Sequence, residues 1–189
     1  MKQGLIFLTV FFLLTACRHE PEPRFPVMHT YRHDYSRSIV FNKARYMAEQ
    51  RLFDSLMRAD TAHRYHHTGT GMHYYFLRRG DTSGPLPQPG DLVRLRYGLY
   101  YILGDTIYTP RELGERVYRV DKEEYFMGFR EAVKHLHPGD KAVFLIPSYA
   151  GYGLLGDGDR IPGNTPLKMT LEIRDIKHEK QLKPNKNEN

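Results

Sequence analysis

The chain has no tryptophan, a single cysteine and no apolar run long enough to cross a bilayer. One cysteine excludes a disulfide within the chain, so stability has to come from a packed core. The apolar stretch from Gly4 to Ala16 falls short of the roughly 20 residues that a spanning helix needs. Charge of one sign is not gathered anywhere. The 28 lysines and arginines are interspersed with 22 acids, for a net +6. This mixed surface argues against nucleic acid as a partner and suits light contact with anionic lipid headgroups. Gly151, Gly153, Gly156 and Gly158 are followed by no Gly-Lys-Ser or Gly-Lys-Thr, which removes a phosphate loop. No nucleophile elbow surrounds Ser148, which removes that route to hydrolysis. His63, His66, His67 and His73 match no defined ligand spacing and have no cysteine to assist them, so no metal is expected.

The N-terminus carries a different signal. Met1-Lys2-Gln3 is a short basic start, Gly4 to Ala16 an apolar middle, and the stretch closes on Leu14-Thr15-Ala16-Cys17, which is similar to a bacterial lipobox. The resemblance implies a signal peptide over residues 1–16, diacylglycerol on the Cys17 sulfur, and a protein held on a membrane outside the cytoplasm, at the periplasmic face or the cell surface. Residues 17–37 then read as the lipidated cysteine and a linker, because Arg18 to Pro26 is rich in proline and charge and cannot bury apolar surface. Residues 178–189 form a similarly polar tail. What lies between is enough for one domain with an appendage.

Residues 38–70 are predicted as that appendage, a helix and a loop. Over Ser38 to Asp60, Val40, Ala44, Met47, Ala48, Leu52 and Leu56 recur near the helical period, and Asp34 or Ser36 could cap the start. The stripe packs on the domain or pairs with a second copy as a homodimer. His63 to Gly71 is a loop signal. Strands are predicted at Met72 to Arg79, Asp91 to Leu103, Asp140 to Pro147 and Leu167 to Ile173. The second and fourth alternate strictly, and the third is a continuous apolar run expected of a strand covered on both faces. A helix over Lys122 to Leu136 puts Tyr125, Phe126, Phe129, Val133 and Leu136 on one buried face. These elements predict an α+β domain, an antiparallel sheet wrapped on one short helix.

Fourteen tyrosines and ten phenylalanines compensate for the missing tryptophan. Several fall on inward faces, and buried tyrosines need partners for their hydroxyls, so an apolar pocket with a few fixed donors is expected. The segments Gly90-Asp91-Leu92-Val93 leading to Tyr97, Phe126-Met127-Gly128-Phe129-Arg130-Glu131-Ala132-Val133, Pro138-Gly139-Asp140-Lys141-Ala142, Tyr149-Ala150-Gly151-Tyr152-Gly153 and Ile161-Pro162-Gly163-Asn164-Thr165-Pro166-Leu167 together resemble the FKBP-type peptidyl-prolyl isomerases, in order and in spacing. The signal peptide, the N-terminal helix and Gly71-Met72-His73-Tyr74-Tyr75 are further similar to the lipoproteins of that family associated with gliding motility.

The resemblance implies an FKBP-like domain over residues 71–177, with a curved antiparallel sheet, a proline-binding hollow and no cofactor. Proline-containing polypeptides would be its clients. Tyr97, Phe126, Phe129 and Tyr152 would carry the isomerisation. Ile107, Tyr108, Tyr118, Tyr125, Ile161 and Met169 would bind substrate. Phe129 would take the floor, where the family often has tryptophan, and Met169 the place of a usual phenylalanine. Tyr108 stands where the family usually has an aspartate that polarises the pocket, so a phenol replaces a carboxylate there.

Overall fold

The computed structural model describes residues 32–178, with side chains from Ser38 onward. The expected signal peptide, Cys17, most of the expected linker and the tail after His178 lie outside the described residues. A helix, α1 (Arg32–Ala59), leads the chain. Seven strands follow: β1 (His66–His67), β2 (His73–Arg78), β3 (Leu92–Tyr101), β4 (Thr106–Tyr108), β5 (Arg116–Arg119), β6 (Lys141–Ile146) and β7 (Leu167–Lys177). Two short helices interrupt them, α2 (Pro110–Leu113) and α3 (Met127–Val133). The strands form one antiparallel sheet in the order β1-β2-β6-β7-β3-β4, with β5 also on β3.

The centre of the sheet is the β3/β7 pair, in which Tyr97 lies opposite Leu171 and Leu99 opposite Met169. Alternation decides which face is buried. Val93, Leu95, Tyr97 and Leu99 on β3, with Leu167, Met169, Leu171 and Ile173 on β7, all point into the core. Arg94 and Arg96 point out, where Arg94 meets Asp175 and both approach Glu115. β6 is covered on both faces, as its unbroken apolar run requires, and Ala142 to Ile146 are all buried. Register shifts at Arg94/Leu95, Leu99/Tyr100 and Phe76/Arg78 bend the sheet. The buried face of α3 is Gly128, Phe129, Ala132 and Val133. Gly128 is required there, since a Cβ would lie 2.6 Å from the Ile146 side chain.

Sequence periodicity misplaced some features. The helix expected over Lys122 to Leu136 contracts to Met127–Val133, because Phe126 is extended (φ −60, ψ 149). β1 falls inside the predicted loop, and β4, β5 and α2 were not expected. α1 starts before Asp34 and Ser36, so neither is its cap. Its buried face also differs from the predicted stripe. Glu49 and Phe53 are buried, whereas Val40 and Met47 are exposed and Leu52 and Leu56 only half-buried. The reason is a specific polar anchor: the Glu49 carboxyl accepts hydrogen bonds from the Ser148 N–H (2.8 Å) and hydroxyl (2.6 Å). That turns the helix away from its most apolar side, leaving Ile39, Val40 and Phe41 facing water.

Among the described residues no helix is long and apolar enough to cross a membrane. The histidines after α1 are engaged with aromatic rings. His63 stacks on Tyr75 and His66 on Tyr74, while His67 lies against His73.

Candidate functional site

Two backbone features open a hollow beside the buried face of α3. Extended geometry at Phe126 directs its ring outward to Tyr152, at 4.9 Å between centroids. The Gly128 N–H donates to the Ala150 carbonyl at 2.6 Å, which ties the start of α3 to the turn after β6. Tyr152 follows that turn in the loop 147–166, hereafter the flap. Gly153 beside it has φ +60, a conformation glycine adopts without strain.

The hollow has a volume of about 510 Å³ and is lined by Tyr97, Glu124, Tyr125, Phe126, Arg130 and Tyr152. Beneath it Phe129 is fully buried. Tyr97 meets Phe129 edge-on at 5.0 Å, Tyr118 does so at 5.2 Å, and Tyr125 stacks flat on it at 4.3 Å. Phe129 is therefore a floor without free surface, and Tyr125 covers it. Tyr118, Ile107, Ile161 and Met169 belong to the same buried cluster and shape the hollow from within the core. Glu124 and Arg130 also line it; neither is among the expected site residues, because hydrophobic periodicity marks only the apolar face of a helix.

Two hydroxyls supply the donors. Burial, reinforced by the phenols and the Asp157 carboxylate around it, pushes the Tyr152 hydroxyl well above the usual phenol range, and burial does the same to Tyr97. Both stay protonated at neutral pH. Neither finds a hydrogen-bond partner among the described residues, and the Phe126 N–H likewise has none there.

Tyr108 is engaged differently. Its hydroxyl donates to Asp157 at 2.7 Å and to Asp159 at 3.2 Å, and the Asp157 bond leads the causes that push it up to about 12. Two flap carboxylates thus lie within hydrogen-bond reach of the Tyr108 hydroxyl. Burial acts to raise Asp157, but hydrogen bonds from Tyr108, Ile161 and Asp159 outweigh it and leave the carboxyl below its ordinary range. Arg160 completes the tie, donating to the Ile107 carbonyl and to Glu112, both at 2.9 Å, with its guanidinium 4.8 Å from the Tyr108 ring centroid. Periodicity does not reveal these partners. The one available signal was the cluster Asp157-Gly158-Asp159-Arg160 within a glycine-rich loop.

The fold agrees with the comparisons to known proteins. Residues 84–174 match the family model of FKBP-type peptidyl-prolyl cis-trans isomerases. FK506-binding protein 1 of Gibberella zeae is 30% identical over 99 residues, which are 50% of this chain and 89% of the relative. FK506-binding protein 2 of Dictyostelium discoideum is 28% identical over 96 residues, covering 50% and 72%. A probable FKBP-type isomerase of Neisseria meningitidis is 28% identical over 106 residues, 56% of this chain but only 38% of that longer protein. The crystal structure of a peptidyl-prolyl cis-trans isomerase from Pseudomonas syringae superposes with a TM-score of 0.57 at 26% identity, covering 72% of this chain and 96% of the other.

An antiparallel sheet curved on one short helix, with an aromatic hollow between helix and flap, defines a prolyl-isomerase fold. The chain belongs to the FKBP-type peptidyl-prolyl cis-trans isomerase family.

Proposed function

We propose that the chain isomerises X-Pro bonds in exported or envelope polypeptides, from a lipid anchor at Cys17 outside the cytoplasm. The observation that carries the reading is the aromatic hollow with two protonated, unsatisfied tyrosine hydroxyls and a free backbone N–H at its edge. Rotation about an X-Pro bond costs about 18–20 kcal/mol because amide resonance is lost on the way. In the twisted state the carbonyl is less polar, so an apolar site penalises that state less than the planar one. The proline ring enters between Tyr97, Phe126 and Tyr152, displaces the Tyr125 ring and reaches the face of Phe129. The Tyr152 hydroxyl and the Phe126 N–H donate to carbonyls of the client and fix one side of the bond while the other turns. No bond is broken.

Tyr108 supports a second reading, a binding module of this fold without turnover, in which the flap carboxylate is occupied by the phenol. A third concerns assembly. Ile39, Val40, Phe41 and Met47 are exposed on α1 and would suit a homodimer, as in a scaffold of the envelope or gliding machinery.

A proline-limited refolding assay separates these. Wild type is expected to accelerate the slow phase and Tyr152→Phe to lose most of that acceleration. A wild type without effect that still binds proline peptides leaves the binding module. Labelling of cells with a radioactive fatty acid tests the anchor: wild type incorporates label and Cys17→Ser does not.

A further inference from the structure

A second and larger concavity, about 790 Å³, lies between α1 and the flap. Its walls include Asn42, Arg45 and Tyr46 from α1 against Met127, Tyr149 and Leu154 from the domain. Its lining is next in sequence to that of the proline hollow: Met127 follows Phe126, and Leu154 lies two residues beyond Tyr152. The two linings have no residue in common, but these two stretches of chain run from one to the other.

The trough is built rather than incidental. Glu49, buried on its floor side, holds α1 to Ser148 through two hydrogen bonds. Ser148 in turn accepts the Gly153 N–H at 3.0 Å, so the same turn sets both the helix and the start of the flap. Tyr149 donates to the Thr70 carbonyl and its ring lies 5.8 Å from that of Tyr46. Arg45 donates to the Asn164 side chain and lies over the Phe41 ring at 4.6 Å. The lining therefore combines apolar surface (Met127, Leu154 and the tyrosine rings) with amide and guanidinium groups. Extended polypeptide presents a matching pair of features, apolar side chains and carbonyl acceptors. Arg45, half-exposed, brings positive charge to the trough, whereas the Glu49 carboxyl is buried and turned to Ser148.

We propose that the trough binds, in extended form, the polypeptide flanking the proline held in the hollow, with a preference for clients that carry an acidic residue within a few positions of that proline. The inference rests on the hollow being the proline site and does not require turnover. At roughly 3.3–3.6 Å per residue, four flanking residues extend well beyond the hollow.

The test is fluorescence anisotropy with the full chain and two labelled peptides. One is the tetrapeptide Ala-Leu-Pro-Phe. The other is a twelve-residue peptide with the same centre and aspartates in both flanks. The longer peptide is expected to bind about tenfold more tightly. Asn42→Trp, which adds bulk on the trough side of α1, and Arg45→Glu, which reverses its charge, are each expected to abolish that gain and leave tetrapeptide binding unchanged. Exchanging the aspartates for lysines is expected to remove most of it in wild type. Equal affinity of the two peptides for wild type, or a gain that survives both variants, overturns the proposal while leaving the isomerase reading intact. Peptide binding with the full length-dependent gain but no acceleration of refolding supports the trough and overturns turnover instead. A concentration-dependent rise in sedimentation mass that Asn42→Trp eliminates assigns the trough to a second copy and overturns the proposal.

Discussion

At the scale of single residues the hollow is governed by how Tyr125, Phe129 and Tyr152 divide the work. Tyr125 stacks on Phe129 at 4.3 Å, and an aromatic pair of this kind is worth roughly 0.5–1.5 kcal/mol. A proline that replaces the ring forfeits that amount. Tyr125→Val is therefore expected to raise the affinity for a proline tetrapeptide roughly two- to tenfold, measured by anisotropy. Weaker binding instead would show that Tyr125 is a wall rather than a cover. Phe129 is fully buried, and Phe129→Ala should cost about 3–5 kcal/mol in urea unfolding, so its loss of activity cannot by itself be read as catalysis. Tyr152 gives the cleaner readout. Because burial raises its hydroxyl well above the usual phenol value, near 10 in the open, the donor persists into alkaline solution. The isomerisation rate is expected to stay level from pH 6 to about 10, and a fall beginning near 9 would mean that a different group supplies the proton.

Elements bring these residues together through contacts that sequence periodicity records unevenly. The alternation of Val93, Leu95, Tyr97 and Leu99 against Arg94 and Arg96 was enough to assign β3 and its buried face, because one side of that strand meets water and the other the core. The continuous run in β6 was legible for the converse reason. β4 and β5 were not, since three or four residues give no measurable period. α2 is held instead by a local capping box, in which Thr109 and Glu112 bond reciprocally. α1 was legible as a helix and misread in orientation, because a single buried carboxyl outweighed an apolar stripe. Removing that anchor with Glu49→Ala leaves the Ser148 N–H without its acceptor and is expected to destabilise the domain by about 2 kcal/mol, measured by urea denaturation. The flap has its own pH limit. Hydrogen bonds from the Thr109 N–H and hydroxyl and from Arg160 depress Glu112 to about 2. A carboxyl depressed on folding stabilises fully above its unfolded value, near 4.3, and the contribution fades as pH falls toward the folded one. Glu112 is exposed, so the effect is local. Protection of the flap amides, taken relative to the intrinsic exchange rate at each pH, should fall from about pH 4 downward, and Glu112→Gln should remove that dependence.

For the molecule as a whole, the open question is whether α1 is an attachment or part of the core. The family model begins at residue 84, so similarity alone would treat everything before it as dispensable. The packing indicates otherwise. Phe53 and Met72 are fully buried, and the Phe53 ring meets His73 on β2 edge-on at 6.2 Å. Gln50 donates to the Gly71 carbonyl at 3.2 Å. β2 in turn pairs with β6 over most of its length, so the helix touches a strand that only β6 separates from the central β3/β7 pair. Burying a phenylalanine is worth roughly 1.5–3 kcal/mol, and the Ser148 hydrogen bonds add about 2 kcal/mol. A chain beginning at Thr61 should therefore be roughly 4 kcal/mol less stable than one beginning at Ser38, enough to leave a domain of ordinary stability partly unfolded at physiological temperature. Paired urea titrations of the two chains decide the matter. Equal midpoints would make the helix an appendage carried only for its trough or its partners. The expected shift would mean that the element shaping the client groove also keeps the domain folded, so neither role could be lost without the other.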